Sequence, residues 1–167
     1  MEKRVIKCTD LTVENFSGYG VIITGAGKVP DADIPELKFW NKLGVMNHRG
    51  DTSISIVQTY GKNGLIEETL EQHKTTGEAL LPTEDIYIVT ALSDKNDPRK
   101  PDFNTVKAFP VKKGEAVIFN PGVWHHAPLT KAETANTFVA FYENTPDEDF
   151  FAYELKDEFG FYFEVEL

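Results

Sequence analysis

Short runs rich in β-branched and aromatic residues, each closed by a turn bearing glycine, proline or aspartate, recur along this chain. That rhythm points to an all-β sandwich or barrel rather than to alternating strands and helices. The runs are Val21–Thr24, Ser53–Gln58, Ile66–His73, Ala79–Leu81, Ile86–Leu92, Val106–Val111, Ala116–Phe119, Thr137–Glu143 and Gly160–Glu166. In Ser53-Ile54-Ser55-Ile56 and in Phe161-Tyr162-Phe163-Glu164-Val165-Glu166 the period is close to two, so one face packs while the other stays wet. Gly61–Gly64, Asp94–Pro101 and Lys112-Lys113-Gly114 supply the reversals between strands. Helix is expected only as short turns over Thr12–Ser17, capped by Asp10 or Thr12, and over Thr145–Phe151.

Length and charge bound the function. At 167 residues the chain reads as one domain, 1–167, because compact domains cluster around roughly 100 to 200 residues. Asp and Glu outnumber Lys and Arg 27 to 17, and the net charge of −10 repels phosphate backbones and anionic headgroups, so neither nucleic acid nor membrane is an expected partner. The one cysteine, Cys8, excludes an intrachain disulfide and suits a reducing compartment. The charged stretch Met1–Asp10 does not read as a signal peptide, and no run of about 18 apolar residues exists to span a bilayer. The expected location is cytoplasmic.

Val21-Ile22-Ile23-Thr24 followed by Gly25-Ala26-Gly27-Lys28 imitates a strand entering a phosphate-binding loop. Such a loop must feed a helix N-terminus, and the Pro30 and Pro35 that follow allow none, so a connection between strands is expected instead.

The segment Gly114-Glu115-Ala116-Val117-Ile118-Phe119-Asn120-Pro121-Gly122-Val123-Trp124-His125-His126 reads as turn, buried strand, Pro-Gly turn and then a histidine three residues past the glycine. One hairpin upstream, Glu71-Gln72-His73-Lys74-Thr75-Thr76-Gly77-Glu78 sets Glu71 and His73 at the same strand parity and lets the Thr-Gly break bring Glu78 alongside. Two imidazoles with one or two carboxylates are donor types that suit a divalent metal with open positions, of the zinc, manganese, iron or nickel kind. That the two segments face one site, with His73, Glu78 and His125 as ligands and Glu71 as a fourth, is what their resemblance to the metal-binding cupins implies. If the strand is extended there, His126 points away from His125, to pack or hydrogen-bond outside the cavity or at a subunit contact.

These two segments resemble the paired motifs of the cupins, and the resemblance implies an all-β double-stranded β-helix, a small antiparallel barrel with little helix. Leu11-Thr12-Val13-Glu14-Asn15-Phe16-Ser17-Gly18-Tyr19-Gly20-Val21-Ile22, the stretch from Leu70-Glu71-Gln72-His73 to Leu81-Pro82, and Val123-Trp124-His125-His126-Ala127-Pro128-Leu129 together resemble the ureidoglycolate lyases, in that family's order and nearly its spacing. That implies a homodimer that releases urea from ureidoglycolate to leave glyoxylate, in purine and allantoin breakdown. It implies catalytic roles for His73, Glu78 and His125, with Lys74, Trp124 and Tyr87 as substrate contacts. Two departures stand out. The family typically has Gln where this chain has Glu78, and an Asn-Arg pair where it has Gln58-Thr59. An arginine is the natural clamp for a substrate carboxylate, so a metal or one of Lys74, Arg49 and Lys107 would have to supply that charge.

Cleavage of a carbinolamide needs a base for the hydroxyl proton and an acid for the leaving nitrogen, and His125 with Glu78 or His73 can divide those tasks. A metal-dependent isomerase or oxygenase on another small polar metabolite, and a non-catalytic small-molecule-binding module, are the alternatives. The aromatic end, Phe159 to Leu167, is either a strand exchanged across a dimer or a covering strand on its own barrel.

Overall fold

The structure is a computed structural model that describes residues 1–167 except Asn47 and Arg49, and all but the side chain of Asn63. In chain order the elements are β1 (Glu2–Lys7), α1 (Val13–Phe16), β2 (Gly20–Ile23), β3 (Ala32–Ile34), β4 (Leu37–Phe39), β5 (Thr52–Thr59), β6 (Ile66–Glu67), β7 (Thr69–Gln72) and β8 (Glu78–Pro82). They continue with β9 (Ile86–Thr90), β10 (Lys107–Val111), β11 (Ala116–Phe119), β12 (Trp124–His125), β13 (Ala135–Tyr142), α2 (Thr145–Glu148), β14 (Phe151–Glu154), α3 (Leu155–Phe159) and β15 (Phe161–Glu166). The all-β reading stands, and helix is confined to short turns. Thr12 caps α1 as expected, accepting a hydrogen bond from the Asn15 amide at 3.1 Å.

One sheet runs β2-β11-β8-β13-β5 and a second β12-β7-β14. A third, β1-β15-β6, pairs the first strand in parallel with the last, and β9-β10 forms a ribbon between. The expected closed barrel is therefore opened into stacked sheets in the manner of a sandwich. The physical reason is visible at β5, which pairs with β13 alone among the described strands and so ends its sheet.

The ribbon explains why two cores exist. Ile86 and Ile88 of β9, with Phe109 and Val111 of β10, pack against Phe16, Leu80, Val117 and Phe119 in one cluster. The opposite parity, Val89, Ala91 and Ala108, packs against Leu70, Trp124, Leu155 and Phe163 in another. Strands buried on both faces carry near-continuous apolar runs, which is how Ile86–Leu92 reads. Each such side chain contributes roughly 1.5–3 kcal/mol on full burial.

The glycine-rich stretch after β2 leads into turns and the β3–β4 hairpin, with no helix, as its prolines require. The last strand, β15, lies between β1 and β6 of the same chain. No helix among the described residues is long and apolar enough to cross a membrane.

Candidate functional site

Strand pairing joins the two sequence motifs. Trp124 and His125 of β12 lie opposite Gln72 and Glu71 of β7, and Glu78 at the head of β8 lies opposite Phe119 of β11. The Pro121-Gly122 turn makes the join tight: Gly122 has φ +82, its N–H donates to the His73 carbonyl at 2.6 Å, and its own carbonyl accepts from Gln72 Nε2 and Ser93 Oγ, each at 2.9 Å. A side chain at the neighbouring Gly77 would collide with the Phe119 carbonyl, at 2.9 Å from the added Cβ. Glycine at 122 and 77 is thus what lets β7, β8 and β11 close on one another.

The ligand atoms of Glu71, His73, Glu78 and His125 consequently lie within 4.8 Å of one another, with His73, Glu78 and His125 buried and Glu71 half-buried. His73 Nε2 is 3.2 Å from one Glu78 oxygen and His125 Nε2 is 3.5 Å from the other. Behind each ring stands a backbone carbonyl: Asp149 O at 2.7 Å from His73 Nδ1, and Val123 O at 3.0 Å from His125 Nδ1. A carbonyl only accepts, so both Nδ1 atoms carry the proton in the neutral rings and both Nε2 lone pairs point at the carboxylate. Lone pairs facing an anion repel unless a proton or a cation lies between. Burial works to raise the Glu78 carboxyl, yet the two imidazoles, His125 foremost, outweigh it and hold it at about 2. Burial likewise works to lower His73, and Glu78 outweighs it to leave that imidazole above its ordinary value.

The cluster opens into a cavity of about 180 Å³, smaller than the ~300–1,000 Å³ usual for drug-sized ligands. Glu71 and Glu78 lie on its wall beside Ser55, Leu80, Val139 and Phe141. Among the described residues no lysine or arginine lines it.

A profile of one protein family, ureidoglycolate lyase, matches residues 3–160. The chain belongs to the ureidoglycolate lyase family. A ureidoglycolate lyase of Schizosaccharomyces pombe is 33% identical over 86 residues, covering 48% of this chain and 44% of the relative; the chain thus spans under half the length of the curated relative it matches. Oxalate decarboxylase structures from Bacillus subtilis also match. One, described for its Mn(II) centres, has TM-score 0.41 and 11% identity over 63% of this chain and 24% of the other. A second, of a single-site serine-to-alanine mutant, has TM-score 0.34 and 10% identity over 75% and 35%.

Within this ureidoglycolate lyase family member, the donor set fits a divalent ion. Two Nε2 atoms fixed by carbonyls, a buried carboxylate between them and a second carboxylate at the rim are the ligand types and supporting contacts that zinc, manganese, iron or nickel centres use. Among the described residues His125 Nε2 is moreover buried without a hydrogen-bond partner, as an atom awaiting such a ligand would be.

The expected substrate contacts lie elsewhere. Trp124 is fully buried in the second core, its ring stacked on Tyr153 at 5.5 Å, because in an extended strand it faces away from its neighbour His125. Tyr87 packs in that same core by the parity of β9. Lys74 follows His73 but turns outward to a surface groove shared with Arg99 and Asp149. Lys107 places its Nζ 5.8 Å from the Tyr19 ring, away from the cavity wall. Arg49 lies outside the described residues. His126 takes the opposite side from His125, as expected, with Nδ1 3.0 Å from the buried Glu67 at a separate groove of about 860 Å³.

Asp149 was not legible as a site residue, since nothing in an acidic aromatic turn names a partner more than 70 positions away. Its carboxylate accepts from the Lys74 and Thr75 amides at 2.8 Å, the Thr75 hydroxyl at 2.7 Å and the Thr76 amide at 3.0 Å, while its carbonyl holds His73. Burial works to raise this carboxyl, but the Thr75 and Lys74 bonds lower it below its ordinary value. A depressed carboxylate adds stability above the unfolded pKa of about 4, and that stability is lost as pH falls through the lower folded value. Asp149→Ala should therefore flatten the acid limb of a thermal-melt pH series. It should also weaken divalent-ion affinity by about 10–100-fold in titration calorimetry, because His73 loses its anchored loop.

Proposed function

We propose that this chain is a metal-assisted carbon–nitrogen lyase, a cytoplasmic homodimer that cleaves ureidoglycolate to urea and glyoxylate in purine and allantoin breakdown. The observation that carries the reading is the convergence of two imidazoles and two carboxylates in one cluster, whose carboxylates line a small cavity with no lysine or arginine among its described lining residues. Ureidoglycolate is an anion, and such a cavity repels it until a cation is bound.

His73 and His125 through Nε2, with the Glu78 carboxylate, would hold the ion, leaving positions open as catalytic centres do. When bound, it would supply the positive charge that the cavity's described lining lacks, for the substrate carboxylate or the developing carbonyl oxygen. Glu71, half-buried on the cavity wall, moves the proton. It takes the proton from the carbinol hydroxyl as the C=O bond forms; the C–N bond breaks, its electron pair goes to the ureide nitrogen, and Glu71 returns the proton there. Leu80, Val139 and Phe141 give the cavity an apolar wall, and the Ser55 hydroxyl is available to the ureido group. Glu78 in place of the family's glutamine strengthens the hold on a cation by one negative charge.

The test is urea release from ureidoglycolate by chelator-stripped protein, alone and with zinc, manganese, iron or nickel. Activity is expected to return with at least one ion, and that ion should stabilise the fold by about 2.7 kcal/mol at about a hundred times its Kd. No urea under any condition overturns the lyase reading, while full activity in stripped protein overturns the metal alone.

A further inference from the structure

The outward face of the five-stranded sheet is built the wrong way round for a solitary chain. In β5 Ser53 and Ser55 share the parity of Val57, with Ser55 and Val57 on the cavity wall, while Ile54 and Ile56 stand outward, 68% and 61% exposed. The long register with β13 fixes that choice, since a one-residue slip would reverse every side chain. Ile56 lies opposite Phe138, and Phe138 opposite Leu81, so a row of large apolar side chains crosses three strands, Phe138 and Leu81 being 42% and 44% exposed. The other half of this face is covered by the chain itself. The segment around Trp40, Leu43 and Gly44 crosses Ile23 and Ile118, and Gly44 sits so close that a Cβ there would lie 2.4 Å from Ile23 Cδ1.

A second unpartnered surface belongs to the same chain. Among the described strands the β3–β4 hairpin pairs only with itself, and two-stranded hairpins alone are marginal in water. Its register puts the Asp33–Lys38 ion pair, at 3.3 Å, on one face and Ala32, Phe39, Ile34 and Leu37 on the other. Ile34, Leu37 and Phe39 are each about half exposed. The hairpin is amphipathic with its apolar side uncovered.

We infer that a second copy of this chain covers the sheet face, the apolar side of each hairpin lying on Ile54, Ile56, Leu81 and Phe138 of the other copy. Charge favours this occupant. With a net charge of −10, two copies repel over most of their surfaces, but the outward side chains of β5, β8 and β13 are all uncharged and offer like-charged partners a place to meet. The contact is isologous, each copy giving one arm and one face, as a two-fold dimer requires. The inference rests on the homodimeric reading above and adds to it the surface.

Sedimentation of the full-length protein over a dilution series, beside Ile56→Lys and Phe39→Lys, tests it. The wild type is expected to be a dimer, and each variant to raise its dissociation constant at least about 30-fold while circular dichroism stays native, both positions being exposed. Mixing Phe39→Cys with Ile56→Cys, each in a Cys8→Ser background, should give a covalent dimer under oxidation that neither gives alone. A monomeric wild type overturns both the dimer and its surface. A variant as dimeric as the wild type, or no cross-link in the mixture, overturns the surface and leaves the dimer.

Discussion

His125→Ala is expected to lower urea release by about 10³-fold or more and to remove most of the bound divalent ion. Losing a group that carries charge or a proton at the reacting centre costs about 10²–10⁴-fold. His125 Nε2 is one of two ring nitrogens facing the Glu78 carboxylate, and its ring is held by the Val123 carbonyl and by stacking on Phe119 at a centroid distance of 4.3 Å. Removing it also leaves Glu78 buried with one imidazole fewer to compensate it, and the carboxyl should move up from about 2. His73→Ala should match it, and the double variant should be little worse than either single one, because residues that act as a unit fail together. Glu78→Gln is the informative contrast. It keeps an oxygen at the same place and is the residue the family typically carries, so its loss should be smaller than that of either histidine variant. Initial rates of urea formation, with metal content measured on the same samples, read all four. Wild-type rates in His125→Ala would remove the cluster from the chemistry altogether.

How far the sequence foretold this site depends on the range over which each contact acts. The turn, strand, turn and histidine order around Gly122 and His125 is local, and strand parity is local too, so spacing together with the resemblance to the paired cupin motifs pointed to Glu71, His73, Glu78 and His125 as one cluster. Parity also foretold that His126 would part from His125. What parity cannot say is which face is inside. The Ser53-Ile54-Ser55-Ile56 alternation marks a strand, but a chain considered alone suggests that the isoleucines face the core, and the pairing of β5 with β13 turns them out. The closed barrel was misjudged for a related reason, since which strand ends a sheet follows from long-range pairing. Strand β1 escaped because Glu2–Lys7 is rich in charge and pairs only with the far end of the chain. Asp149 escaped because its worth lies in the amides of a loop brought to it by folding.

Trp124→Ala is expected to cost about 3–5 kcal/mol, a large share of the roughly 5–15 kcal/mol that holds a domain folded. For a chain of this size the melting temperature should fall by about 10 °C. Trp124 is fully buried among Leu70, Leu155 and Phe163, stacked on Tyr153 and edge-on to Phe151 at 6.0 Å, and its backbone exchanges two 2.9 Å hydrogen bonds with Ala91. The residue ties β12 to β9 and so fixes the strand from which His125 projects. Its indole N–H is buried without a partner among the described residues, and Trp124→Phe removes it along with part of the ring, so that variant should lose only about 1 kcal/mol. The pair separates the two roles a tryptophan beside His125 can have. A structural Trp124 predicts a graded fall in melting temperature from Phe to Ala with KM unchanged in Trp124→Phe. A substrate contact predicts the reverse, a raised KM at an undisturbed melting temperature. Differential scanning calorimetry and steady-state urea release on the two variants distinguish them, and burial on the far side of the strand from the cavity favours the first.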